Sequence, residues 1–282
     1  MIEQQGLWGE SIRAALTVTV DVDAETFWFT RFERGSVPQC AESEALYGIQ
    51  TGLPRLLRMF ESLGCKGTFF VPGWIAERHP REIGAVAAEG HEIAYHGYLH
   101  EKAESAAEEK ELIVRCKALF AERWGVELVG YRYPEFGLRP ELIDTLADEG
   151  FLYSSNLMDR DHPYLLHGEA GTKLVELPTS WVFDDSSHFF FTIYPPQRRP
   201  MAAPSQVREI WQKEFSGIAQ EGGSMVLVLH PLLSGRTSRV GMLHDLLQWA
   251  KEQPGVLIAP ARELAERALP VLLEHDSVGN TQ

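Results

Sequence analysis

A short run of β-branched or aromatic residues, then a turn, then a longer segment with helical periodicity recurs about eight times along the chain. This alternation constrains the fold more than any other feature. Parallel strands need helical crossovers of this length, and strand-then-helix repeated over a chain of 282 residues predicts an α/β fold, a distorted (β/α) barrel of 7–8 strands. The expected strands are Ala15–Val22, Lys66–Val71, His91–His96, Leu128–Tyr133, Phe151–Ser155, Leu174–Leu177, Ser224–His230 and Val256–Ile258. A doubly wound open sheet is the alternative, but no GxGxxG follows an early strand to favour it.

The intervening helices carry their own signals. Leu112, Ile113, Cys116, Leu119 and Phe120 form one apolar stripe within Ser105–Trp124, which makes Cys116 a core thiol. Thr51 is expected to cap a helix that has Pro54 in its first turn and stops at Gly64. Val240, Leu243, Leu247 and Ala250 repeat the stripe after Ser238. Neither an internal repeat nor a Pro/Gly/Ser linker divides the chain, so residues 1–282 read as one domain.

Charge and cysteine usage narrow the partners. A formal charge of −14 repels phosphate backbones, and no Lys/Arg-rich run interrupts it, so nucleic acid and anionic membrane are excluded as partners. Cys40, Cys65 and Cys116 show no CxxC pairing and cannot all pair in one chain, which suits a reducing compartment. The N-terminus lacks the basic start and apolar core of a secretory signal, and no stretch approaches a membrane span. A soluble cytoplasmic protein is expected.

In barrels of this kind the active site stands at the C-terminal ends of the strands, and ionisable residues collect there. The first expected strand ends in Asp21-Val22-Asp23, where period-two alternation turns both carboxylates to one face. Two like charges at close range need a cation between them or a proton on one. His96 and His100, four apart on one expected helical turn, join a carboxylate in a three-ligand set suited to Zn²⁺ or a similar divalent ion. Arg132 ends the fourth strand, either to hold a carboxylate ionised or as a structural ion pair at the rim. His230 closes the buried run Met225–Leu229, as a proton donor or as a hydrogen-bonded core histidine.

Taken in order, Asp21-Val22-Asp23, Gly67-Thr68-Phe69-Phe70-Val71, His96-x-x-x-His100, Arg132-Tyr133-Pro134 and Leu229-His230-Pro231 resemble the polysaccharide deacetylase (NodB homology) family over residues 15 to 260. Leu177-Pro178-Thr179-Ser180-Trp181 with Asp184-Asp185, and Gly235-Arg236 with Arg239, are similar to a branch of intracellular peptidoglycan-deacetylase-like proteins and cyclic imide hydrolases. The resemblance implies a NodB-like barrel and hydrolysis of a non-peptide amide. It implies Asp21 as general base and His230 as general acid. Arg132 would tether the base, and Asp23, His96 and His100 would hold the metal, zinc first, with cobalt or nickel as substitutes. Tyr133, Pro134 and Trp181 would contact a small-molecule or oligosaccharide substrate, and Trp74, just after the second expected strand, either joins them as a wall of the mouth or simply packs. Relatives in the branch imply a homo-oligomer, as large as a tetramer. Two sequence departures, Val22 between the acids and Glu135-Phe136 before Gly137, imply an altered loop over the site and let Glu25 enter it.

The favoured reading is removal of N-acetyl groups from amino sugars. Opening of a cyclic imide or ureide is the alternative that a cytoplasmic location favours, and an inactive ligand-binding homologue is a third. Trp181-Val182-Phe183 through Phe191, the most aromatic stretch, is expected to line the pocket, form a subunit contact or fold as a buried hairpin. Arg236 and Arg239 are read as carboxylate-binding, subunit-positioning or merely helix-start residues. The tail from Glu274 has no periodicity and is assigned no role.

Overall fold

The computed structural model describes residues 6–9, 11–33, 35–192, 196 and 200–279. Among them are nine strands: β1 (Ala14–Asp21), β2 (Thr68–Val71), β3 (Glu92–Tyr95), β4 (Gly130–Tyr131), β5 (Tyr153–Ser154), β6 (Tyr164–His167), β7 (Lys173–Glu176), β8 (Ser224–Leu229) and β9 (Val256–Ile258). They form one curled sheet in the order β6-β7-β5-β4-β3-β2-β1-β8. Every pairing is parallel except β6 with β7. β8 pairs along Ala15–Val20 of β1, so β9 at Ala14–Leu16 and β2 at Thr19–Asp21 share the opposite edge in succession.

Alternation along the strands sorts the core into two layers. Leu16, Val18, Val20, Phe69, Val71 and Leu227 pack outward beneath the helices. Ala15, Phe70, Ala94, Tyr153, Val175 and Val226 pack inward, together with Leu264 and Ala268 of the helix Ala261–Gly279. With both faces covered, β1 is buried along its whole length, as parallel strands are.

The barrel closes where β7 runs on toward β8. Thr179 Oγ1 donates to Val226 O at 3.0 Å, and Asp185 N donates to Val228 O at 3.0 Å. Asp184 and Asp185 are thereby laid beside the end of β8, a placement that decides the chemistry below.

Several local expectations are corrected. β6, absent from the expected strands, pairs antiparallel with β7. Thr51 is no cap: Gln39–Tyr47 continues through a π-helical turn, Gly48–Gly52, into Leu53–Leu63, which does end at Gly64 with φ 60°. Glycine is required inside that helix by contact, since a Cβ on Gly52 would lie 2.1 Å from Pro231 O. The segment 181–191 is a 3-10 turn (Trp181–Phe183) and a short helix (Ser186–Phe189), not a hairpin. The tail is helical to Gly279, and Asp276 anchors it to Lys173 at 2.7 Å. Residues 1–5, part of the N-terminal reading, lie outside the described residues.

Candidate active site

β1 delivers Asp21 at its last residue and Asp23 just beyond, and both are buried at the C-terminal mouth of the sheet. Arg132 follows β4 and is fully buried. Its Nη1 donates to Asp21 Oδ1 at 2.7 Å and Thr19 Oγ1 at 2.8 Å, its Nη2 to Ser155 Oγ at 2.8 Å, and its Nε to Ser155 O at 3.1 Å. Phe70 stacks beneath the guanidinium at 4.1 Å. A buried guanidinium with this many acceptors is fixed in place, and it fixes Asp21 in turn.

His96 and His100 do not sit on a helical turn. They follow β3 on a bend in which Gly97 (φ 74°) and His100 (φ 59°) take left-handed backbone, and this folds the two imidazoles toward each other, ring centroids 5.0 Å apart. A helix would have spaced them along one face instead; the bend gathers them over Asp23.

The atoms that meet there suit a cation. His96 Nδ1 lies 2.9 Å from Arg132 O. A carbonyl can only accept, so Nδ1 donates to it and Nε2 is the ring atom turned toward Asp23. It faces Asp23 Oδ1 at 3.2 Å, and His100 Nε2 lies 3.6 Å from Asp23 Oδ2. Burial opposes a charge on His96, but Asp21 and Asp23 draw its pKa up, so the carboxylates here attract positive charge, which a proton or a metal ion supplies. The separations match the edges, about 3.4 Å, of a tetrahedron with bonds of about 2.1 Å. Asp23 Oδ1 and His100 Nδ1 are buried without hydrogen-bond partners. Asp23, His96 and His100 therefore fit a divalent metal ion.

Electrostatics agrees. Burial alone would raise the Asp23 carboxyl, but His100, His96 and His230 overcome it and hold it well below the usual carboxylate range. Burial pushes His100 down to about 4 against the pull of Asp23, which leaves a neutral ring free to ligate.

His230 stands on the opposite side, with Nε2 3.7 Å from Asp23 Oδ2. Asp185 grips it twice, accepting from His230 N at 2.8 Å and pairing with Nδ1 at 2.7 Å, and Ser234 Oγ donates to the same carboxylate at 2.5 Å. Burial opposes protonation of His230, but Asp185, then Asp184 and Asp23, lift it well above the ordinary imidazole value. Burial likewise pushes the nearby Asp184 up to about 6, with His230 opposing. Asp184, Asp185 and His230 also form a group close enough for a metal, but the direct Nδ1–Asp185 hydrogen bond already fills it.

These groups floor a cavity of about 510 Å³ whose walls include Phe27, Tyr133, Phe136, Phe190 and Trp181. Trp181 is half exposed and meets Phe136 edge to face at 5.3 Å. Trp74 and Pro134 are not in the lining: Trp74 packs on Phe29, and Pro134 is buried beside Gly97. Glu25 pairs with His79 at 2.9 Å instead of entering. Arg236 stacks on Tyr47, and Arg239 on Phe189, both away from this lining. Asp185, Ser155, Arg31 and Glu135 were not singled out for roles in the sequence. Asp185 left a signal there as half of an Asp-Asp pair, and Glu135 as part of the unusual run before Gly137.

Fold and site define a barrel hydrolase with its polar machinery at the C-terminal mouth of the strands. A crystal structure of a designated polysaccharide deacetylase from Mycobacterium smegmatis superposes with a TM-score of 0.89 at 37% identity, covering 93% of this chain and 92% of that one. The chain belongs to the polysaccharide deacetylase family, hydrolases of carbon–nitrogen bonds, and the family model for polysaccharide deacetylase matches residues 32–153. The peptidoglycan deacetylase of Helicobacter pylori is 25% identical across 88% of this chain and 93% of that protein. The structure of Puue allantoinase shares the fold, with a TM-score of 0.79 at 22% identity over 93% of this chain and 92% of that one. No helix among the described residues is long and apolar enough to cross a membrane.

Proposed function

We propose that the protein hydrolyses a non-peptide amide with the aid of a divalent ion held by Asp23, His96 and His100. The observation that carries this reading is the division of the cavity floor into three parts: a guanidinium-tethered carboxylate, a carboxylate–imidazole cluster, and a carboxylate-gripped imidazolium. The ion, zinc first and cobalt or nickel as substitutes, would draw electron density from an amide carbonyl and make water a better nucleophile near neutral pH. Arg132 occupies Asp21 Oδ1 and leaves Oδ2 to accept the proton of the attacking water. His230, kept protonated by Asp185, donates from Nε2 to the departing nitrogen. Asp21 thus takes one proton from water while His230 gives a different one to the leaving nitrogen, and the site resets when Asp21 releases its proton and His230 takes one up from solvent.

The substrate read from the family is an N-acetyl amino sugar or a short fragment carrying one. A cyclic imide or ureide is the second reading, favoured by aromatic side chains on several sides of the cavity, against which a flat ring can stack. The three free thiols, one of them exposed, suit a reducing, cytoplasmic setting. Residues 1–282 are read as one domain, and exposed Trp181, Phe191 and Met201 favour association into a homo-oligomer.

The test is to strip metal with a chelator, measure residual metal, restore zinc, cobalt or nickel singly, and assay acetate release from chitooligosaccharides beside ring opening of succinimide and dihydrouracil. Full activity after verified metal removal overturns the mechanism. Activity on neither substrate class with metal bound favours the inactive homologue. His230→Ala should keep the metal while kcat falls about 10²–10⁴-fold.

A further inference from the structure

Arg31 lines the same cavity and takes no part in the chemistry above. Its guanidinium is pinned on one side: Nη1 donates to Phe27 O at 2.8 Å and Thr30 Oγ1 at 3.0 Å, and the planar group lies over the Phe27 ring at 3.8 Å. On the other side Nη2 stands 3.8 Å from Glu135 Oε1, beyond hydrogen-bonding reach. The direct hydrogen bond to Glu135 comes instead from Lys102, whose Nζ donates to the other oxygen, Oε2, at 2.6 Å. Arg31 therefore keeps donor capacity that Glu135 does not consume, and its side chain is only 23% exposed.

The turn that carries Glu135 is built at a cost. Glu135 (φ 56°) and Phe136 (φ 59°) are consecutive non-glycine residues in left-handed backbone. Such strain persists where surrounding contacts enforce it, and it clusters at binding sites. Lys102 bonds Glu135 and Trp181 meets Phe136 edge to face, and both turn residues stand in the cavity wall, Glu135 beside Arg31. The remaining described side chains of the lining are aromatic, hydroxylic, acidic or histidine, so among the described residues Arg31 is the one guanidinium in the cavity wall, Arg132 lying behind Asp21 outside it.

We propose that Arg31 is a specificity-determining residue that binds a carboxylate on the substrate, which narrows the substrate class to acidic amides. A rigid guanidinium stacked on an aromatic ring is suited to fork-like recognition of a carboxylate, and its immobilisation is complete before the ligand arrives. This inference rests on the amide-hydrolase reading. The carboxylate has two sources, an acidic substituent on an N-acetyl amino sugar or on a cyclic imide or ureide, and matched probes separate them.

The experiment measures kcat/KM of the metal-loaded wild type for two pairs whose members differ in carrying a carboxylate: N-acetylmuramic acid, which bears it on an O-linked lactyl group, against N-acetylglucosamine, and dihydroorotate against dihydrouracil. The acidic member of one pair should be preferred by on the order of 10–100-fold, the scale of charge-assisted hydrogen bonds. Arg31→Met should bring that ratio to within about threefold of unity, and Arg31→Lys should keep part of the preference, since it retains charge without the fork. An acidic preference that survives Arg31→Met, or no acidic preference in either pair, overturns the inference. If none of the four is hydrolysed, the amide-hydrolase reading fails by itself. Calorimetric binding of the same pairs then decides for Arg31: acid-selective binding abolished by Arg31→Met supports it, and equal binding of both members sinks it.

Discussion

Replacing Asp185 by asparagine tests the acid side of the site while sparing the metal cluster. The carboxylate accepts three contacts, from His230 N, His230 Nδ1 and Ser234 Oγ, and an amide cannot reproduce them. With its oxygen on Nδ1, the new NH₂ confronts His230 N–H and strands a buried donor. With the amide flipped, the NH₂ meets Nδ1 and drives the ring to its neutral tautomer. Either way the imidazolium loses its counter-charge. A charge-assisted hydrogen bond of about 1.5–3 kcal/mol corresponds to about 1–2 pK units on His230. The sign follows from the role: an acid works below its pKa and fails as pH rises through it. In the wild type that limb lies above the ordinary histidine range, because Asp185 and its neighbours raise His230. Asp185→Asn should move the basic limb of kcat/KM down by about 1–2 pH units, and the protonated fraction at pH values above the limb should fall by about 10–100-fold. The assay is a pH profile of amide hydrolysis from pH 5 to 10 with metal content measured in parallel. An unmoved basic limb and kcat within threefold of wild type would falsify the acid role of His230. Loss of the metal would instead show that the two halves of the floor are one unit.

Other consequences are checked as directly. His96→Ala should abolish metal retention after dialysis, because it removes one of three ligands around Asp23; a variant that still holds one equivalent of ion breaks the ligand set. Glu176 is fully buried, and burial raises its carboxyl while Asn156 N and Leu157 N bond to Oε1. Its folded-state stabilisation is thus complete below the unfolded carboxyl value of about 4.3 and is lost as pH rises through the elevated folded value. In urea melts Glu176→Gln should therefore gain on the wild type between pH 5 and pH 8, and Glu176→Ala should lose about 2 kcal/mol or more by orphaning two backbone donors; a glutamine variant that loses ground at pH 8 refutes the assignment. Gly52→Ala puts a methyl 2.1 Å from Pro231 O, so stability should drop by about 1–3 kcal/mol, and kcat should fall with it as the turn after His230 shifts. Unchanged melting and turnover would mean that the contact is slack.

The strand–helix alternation and the buried apolar runs were enough for a sequence-level reading of a curled parallel sheet, because both faces of such strands must be apolar and that pattern is local. Asp21, Asp23, Arg132 and His230 were legible for a related reason: each closes or follows a strand, and strand ends point at one mouth. The histidine pair was legible by spacing but not by shape. Only the left-handed turn at Gly97 and His100 folds the two rings over Asp23, and neither position announces this in a run of letters. Asp185 could not be assigned from sequence at all. Its grip on His230 depends on the chain after β7 crossing to β8, a contact between residues 45 apart along the chain. The same holds for Arg31, since the direct hydrogen bond to its neighbour Glu135 comes from Lys102, a pairing across 33 residues. Local periodicity writes the elements, since it reflects what each segment must bury by itself. Which charges end up satisfied, and which are left to meet a substrate, is set by loops from separate segments arriving at one point, and only the tertiary structure decides that.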